Sequence, residues 1–191
     1  MNAIPLEFEP LRTLVRDLKV QWQMFDDLYS ESKHYYLFQR TGPRFWMQLR
    51  EYLLDVVFTS ISRFFDPPRN RSQKNYSLAA VLEKPEVSSI RKDLQARLDL
   101  LTSKWEKGIK QWRHKKLSHS DTEIVLGREA LPEIPYADIS DLVSGIAAFV
   151  NEIDLRLYDF EVAERVEIAQ WVPQVMRYLK AGVEKVDHDQ K

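Results

Sequence analysis

Nine prolines, at positions 5, 10, 43, 67, 68, 85, 132, 135 and 173, constrain what this chain of 191 residues can fold into. A proline inside a helix removes a hydrogen bond and clashes with the preceding turn, at about 3 kcal/mol. The Pro-free intervals 11–42, 44–66, 86–131 and 136–172 are therefore the natural places for long helices. Each interval carries apolar residues three or four apart, the period of a helix with one buried face. The stripes are Leu11, Leu14, Leu18, Trp22, Phe25 and Leu28; then Phe45, Leu49, Leu53, Val56, Val57, Ile61 and Phe64. The third runs Ile90, Leu94, Leu98, Leu101, Trp105, Ile109 and Trp112, and the fourth Ile139, Val143, Ile146, Val150, Ile153 and Leu157.

Gly42-Pro43 breaks the chain before the second stripe and Asp66-Pro67-Pro68 stops it. Ser77 reads as the N-cap of a short helix, LAAVLEK, closed by Pro85. A last helix is expected from about Ile168 to Leu179, started or kinked by Pro173. Thr122 to Leu126 is the best strand candidate in a chain that otherwise lacks sustained alternation. Four amphipathic helices bury their stripes most simply against one another. The predicted fold is all-α, an antiparallel helical bundle of four long helices plus one or two short ones. It is expected as a single domain over 1–182, followed by a charged, frayed tail at 183–191. Trp22, Phe45, Trp105 and Trp112 are assigned to the core, because large aromatics dominate core energetics.

Composition narrows the function. The chain has 28 Lys+Arg against 29 Asp+Glu, a net charge of −1, so it does not present a basic surface throughout. Any nucleic-acid role must come from a local patch. Cysteine is absent, which excludes disulfides, thiolate metal sites and cysteine nucleophiles. The opening MNAIPLEFEP carries acids where a signal peptide carries Lys or Arg. The longest near-uncharged apolar run, Leu142 to Val150, is about half of what a membrane span needs. The expectation is a soluble, cytoplasmic protein with no membrane contact and no cofactor or metal.

One stretch departs from this balance. Between Lys104 and Lys116 lie Lys104, Lys107, Lys110, Arg113, Lys115 and Lys116 against the single acid Glu106, a local charge of +5. His114 and His119, two of the four histidines, sit at its end. A solvated basic face at a helix C-terminus, where cations are favoured, accounts for several of the lysines. It does not account for two histidines beside an arginine. That group suits phosphodiester cleavage without a metal. Imidazole titrates near working pH and can take a proton from a ribose 2′-hydroxyl or give one to the leaving 5′-oxygen. A guanidinium can fork onto the phosphate oxygens. Lys107, Lys110, Lys115 and Lys116 would hold the RNA backbone, with affinity that falls as salt rises. On a straight helix Arg113 and His119 stand roughly 120° apart around the axis and about 9 Å apart along it. The helix must therefore end or bend near Ser118, or a second subunit must complete the site. A two-fold dimer packed through this helix would gather two Arg and four His at one cleft.

Other features read as structural. Asp26-Asp27 has no third ligand at metal spacing and is a solvated helix face. Asp66, Asn75 and Ser77 read as a helix stop, a turn and a cap; the alternative is that the basic loop with Arg69, Arg71 and Lys74 folds over the cleft and reads RNA. Glu161, Glu164 and Glu167 could form an acidic stripe for a partner or antitoxin. His34 is placed at the surface or boundary and His188 in the tail.

Arg113, His114 and His119 resemble the Arg-polar-x(3–5)-His signature of the HEPN superfamily, the helical "higher eukaryotes and prokaryotes nucleotide-binding" domains. RFFDPP followed by NYSLAAVLEK resembles the Asp-Pro and Asn-x-Ser-Leu pattern of its abortive-infection, AbiU-like branch, as do Lys115 and Asp121 beside the histidine. The resemblance spans Phe45 to Asp121 by motif. It implies a helical-bundle homodimer acting as a metal-independent endoribonuclease in a toxin–antitoxin or phage-defence role. His119 would be the general acid/base, Arg113 would bind the scissile phosphate, and His114 would assist or orient. A regulatory or antitoxin protein is an implied partner. Asp121 stands where one subgroup carries an adenylylated Tyr, so that control is not expected. The family also has non-catalytic members, and a nucleotide-, RNA- or protein-binding helical dimer is the alternative reading.

Overall fold

The computed structural model describes residues 8–118, 122–159 and 170–189. Among these residues the protein is all-α, with one two-residue-per-strand hairpin as its extended structure. The elements are α1 (Glu9–Tyr29), α2 (Tyr35–Thr41), α3 (Pro43–Phe64), β1 (Arg69–Asn70), β2 (Gln73–Lys74) and α4 (Leu78–Leu82). They continue with α5 (Arg91–Lys107), α6 (Ile109–Trp112), a π-helical turn over Arg113–Ser118, α7 (Thr122–Val125), α8 (Tyr136–Tyr158) and α9 (Trp171–Asp189). The chain divides into two compact units. Unit 1 comprises Met1–Leu18 and Phe58–Glu164; unit 2 comprises Lys19–Val57 and Arg165–Lys191. Helices α1 and α3 contribute to both.

The core of unit 1 is built on α8 and α5. Helix α8 buries Ile139, Leu142, Val143, Ile146, Phe149, Val150 and Ile153, and α5 buries Leu94, Leu98, Leu101 and Trp105. Each such side chain contributes about 1.5–3 kcal/mol when fully withdrawn from water. The two helices approach closely where α8 carries Gly145: a Cβ there would stand 2.5 Å from Leu101 Cδ2. Asp154 is also buried on α8, 1% exposed, and accepts from Arg12 Nε at 2.9 Å while Arg12 Nη2 reaches its other oxygen. Helix α8 ends at Asp159, in the left-handed conformation at φ 50, where a short polar side chain is tolerated. Ser77 caps α4 by accepting from Ala80 N at 3.3 Å, as predicted.

Unit 2 is an aromatic cluster. Leu28, Leu37, Trp46, Val172 and Met176 are buried, with Tyr29, Phe38, Leu49, Leu53, Leu179 and Val183 packed on them. Phe38 stacks on Trp46 at 4.4 Å, and Trp46 Nε1 donates to Thr41 Oγ1 at 2.9 Å. Gly42, at φ 122, reverses the chain between α2 and α3 in a region that favours glycine. Pro173 falls in the first turn of α9, where its missing N–H costs no intrahelical bond.

Four expectations change. Phe45 is 61% exposed and Val56 45%; Trp46, Leu54 and Phe58 are buried beside the predicted Val57, Ile61 and Phe64, so the first half of the inward face of α3 lies one residue later than the stripe suggested. Interval 11–42 holds two helices, not one, because α1 stops at Tyr29 and α2 restarts at Tyr35. The third helix is interrupted at Gly108, whose backbone (φ −143, ψ −70) is not helical. Thr122 to Val125 forms a helical turn rather than a strand, with Leu126 N bonded to Thr122 O at 2.9 Å.

Candidate functional site

The basic stretch forms the end of α5, all of α6 and the π turn, within unit 1. Gly108 breaks the α5 ladder, so α6 starts afresh: Gln111 N and Trp112 N both donate to Gly108 O. The π turn then bonds backbone groups five residues apart, rather than four; such turns are rare and frequent at functional sites.

Arg113 opens this turn. Its Nη1 donates to Asp66 Oδ1 at 2.6 Å and to the Ser62 carbonyl at 3.4 Å. The side chains remain 35% (Arg113) and 24% (Asp66) exposed, so the pair is held but reachable from solvent. Both anchors come from the end of α3 and its Asp-Pro-Pro stop. Ser62 Oγ accepts from Trp105 Nε1 at 3.3 Å, and Phe65 stacks on Trp105 at 5.0 Å and 10°. Trp112 donates to the Pro132 carbonyl at 2.8 Å and meets Phe58 edge-on at 5.2 Å. The tryptophans thus wedge the basic stretch against α3; Trp112 is half-buried and Trp105 buried. Asp66, assigned from the sequence to a helix stop, is also the partner of Arg113. The two lie 47 residues apart, and no spacing rule joins them.

The lysines divide. Lys107 is exposed. Lys110 pairs with Glu106 at 2.6 Å and lies over the Trp105 ring at 5.4 Å; Lys115 pairs with Glu129. Lys116 lies 4.8 Å over Trp112. Lys104 pairs with Asp141 at 2.8 Å. Three acids from outside the stretch, Asp66, Glu129 and Asp141, lower its local balance from +5 to +2. The isolated segment therefore overstates the field of the folded surface. His114 is exposed on the turn. His119 and Asp121 lie outside the described residues, as do Glu161, Glu164 and Glu167.

The loop between α3 and α4 is the small antiparallel hairpin, with Arg69 opposite Lys74 and Asn70 opposite Gln73. Arg71 turns it at φ 55, and Asn75 closes it, donating from Nδ2 to the Pro67 carbonyl at 2.8 Å and from N to the Pro68 carbonyl at 2.9 Å. Arg69, Arg71 and Lys74 are exposed. Asn75 is thus the turn residue the sequence suggested.

Among the described residues, no group of three or more His, Asp or Glu could hold a metal ion, and no helix is long and apolar enough to cross a membrane. The sequence model of the HEPN AbiU2 family matches residues 6–167, which include both anchors of Arg113 and the whole basic stretch. The chain belongs to this abortive-infection branch of the HEPN superfamily. No curated protein and no solved structure matches it. The AbiU2 match covers the Asp-Pro stop, the capped α4 and the Arg113 turn together.

Proposed function

We propose that this HEPN AbiU2 protein is a metal-independent endoribonuclease of phage defence, active as a homodimer through the helix end that carries Arg113 and His119. The observation that carries the reading is the Arg113 guanidinium: fixed through Nη1 by Asp66 and Ser62, a third exposed, at the start of a turn wider than an α-helix. Its described contacts use Nη1 alone, which leaves Nε and Nη2 to fork onto a scissile phosphate.

In this mechanism His119 takes the proton of the ribose 2′-hydroxyl. The freed oxygen attacks the adjacent phosphorus, and the P–O5′ bond breaks. The leaving 5′-oxygen gains a proton from an imidazolium, supplied by His114 or by the second subunit. The products are a 2′,3′-cyclic phosphate and a 5′-hydroxyl end. Arg113 stabilises the charge that grows on the non-bridging oxygens. Lys107, Lys110, Lys115 and Lys116 hold the strand. An antitoxin or regulatory partner would act by covering this cleft.

The test is cleavage of single-stranded RNA by the purified full chain with EDTA present. Wild type is expected to cut and His119→Ala to be inactive while its circular dichroism is unchanged. A DNA copy of the substrate, lacking the 2′-hydroxyl, is expected to survive. Intact RNA that is nevertheless bound, with binding weakened by charge reversal at Lys110 and Lys116, would replace this reading with a non-catalytic one. Because the folded stretch balances to +2, log affinity against log salt is expected near about −1.4 per chain rather than the about −3.5 of an unpaired +5 segment.

A further inference from the structure

Unit 2 carries a cavity separate from the basic stretch. It lies between the turn that follows α1, the helix α2, and α9, opens to solvent and measures about 400 Å³, within the size range of small-molecule sites. Leu37, Pro173 and Met176 give it an apolar floor; Leu37 and Met176 are 7% and 3% exposed. Lys33, Arg177 and Lys180 bring three cations to its walls. Their neighbours hold them loosely: Lys33 pairs with Glu31 at 3.3 Å and Lys180 with Glu184 at 3.9 Å, both in solvent, where such pairs are weak. Arg177 lies 5.4 Å over the Tyr178 ring. The one carboxylate among the described lining residues, Asp27, accepts from Gln23 Nε2 at 2.9 Å through Oδ1, while its buried Oδ2 has no hydrogen-bond partner. His34 also lines the cavity; burial, then the charge of Lys33, lower its pKa and favour neutral imidazole. Three cations and one carboxylate thus line a greasy surface, with Glu31 and Glu184 paired to the two lysines from outside the lining.

We propose that this cavity binds a small organic phosphate, with the phosphate among Lys33, Arg177 and Lys180 and an apolar body against Leu37, Pro173 and Met176. A guanidinium with two ammonium groups matches a dianion, and the fork of Arg177 suits phosphate geometry. The floor selects for an apolar body: an inorganic anion would leave that surface wet and gain nothing from it. The site stands on unit 2 alone and does not depend on the ribonuclease reading.

Calorimetric titration of the full chain at about 0.15 M ionic strength tests it, because diffuse surface attraction is largely screened there. The probes are phenyl phosphate, adenosine monophosphate, glucose 6-phosphate and inorganic phosphate. At least one of the first two is expected to bind about tenfold or more tightly than either of the last two. The double variant Arg177→Glu, Lys180→Glu changes surface residues of α9; with helix content unchanged, it is expected to lose about tenfold or more of that affinity. Arg113→Ala is expected to bind as wild type does. No binding of either apolar phosphate, equal affinity for all four probes, an unaffected double variant, or loss of binding in Arg113→Ala would each overturn the proposal.

Discussion

The two units handle interior polar groups differently, unit 1 combining ion pairs with the neutral Trp105–Ser62 bond. Unit 1 buries an ion pair, Arg12 with Asp154, and holds a second, Arg113 with Asp66, at the edge of solvent. Unit 2 relies on neutral groups: Tyr29 Oη donates to the Trp46 carbonyl at 2.9 Å, and Trp46 Nε1 to Thr41. The same arginine–carboxylate chemistry thus serves two ends in unit 1. Where water is excluded, the pair must stay closed, since either partner alone would be an uncompensated buried charge. The Asp154 bond accordingly raises the pKa of Arg12 further, in spite of its burial. Where water remains, the pair is screened and can open at little cost.

The largest expected effect breaks the buried member. Asp154→Ala is expected to lose about 3–5 kcal/mol in urea unfolding, by leaving the Arg12 guanidinium with only the exposed Glu9 as a partner. A loss under about 1 kcal/mol would erase the distinction between the two pairs. At the open member the effect moves from stability to activity. Arg113→Ala is expected to reduce RNA cleavage about 10²–10³-fold while shifting stability by about 1 kcal/mol or less. Unfolding of that variant at room temperature would make Arg113 architecture.

Asp66→Asn sharpens the comparison, since it keeps the shape and removes the charge. The guanidinium then loses its anchor, and cleavage is expected to fall roughly tenfold, as when a supporting hydrogen-bond partner is removed. Wild-type activity in this variant would show that Asp66 only ends α3. The smallest effect belongs to unit 2 and its neutral interior. Burial pushes the Tyr29 hydroxyl up to about 12 from 10.0. Between those values the unfolded chain has ionised Tyr29 and the folded chain has not, so stability falls as pH rises from about 10 to about 12. Tyr29→Phe is expected to cost about 1 kcal/mol at neutral pH and to flatten that alkaline decline. An identical decline in the variant would assign it to other groups.

How much was legible in the sequence varies by element. The stripes of α1, α5 and α8 repeat at 3.6 residues over more than four turns, and their buried faces follow them. Helix α3 did not: Phe45 and Trp46 are adjacent aromatics, and periodicity alone cannot choose which ring faces inward. Phe38 decides, by stacking on Trp46. The Arg113 motif was readable because it is local and falls in a family pattern, whereas its partner Asp66 was hidden behind a sufficient local explanation, the Asp-Pro-Pro stop. The charge of the basic stretch was overstated for the same reason: Asp141 and Glu129 reach it only through the fold.

By itself the sequence determined what is local: helices set by proline placement and apolar period, the cap at Ser77, and the motifs that resemble the HEPN family. The tertiary structure decided which opposite charges meet, which aromatic is inside, and where α5 yields to a wider turn. Those outcomes depend on groups tens of residues apart, whose encounter is governed by burial and Coulomb attraction in three dimensions, and no pattern along the chain records it.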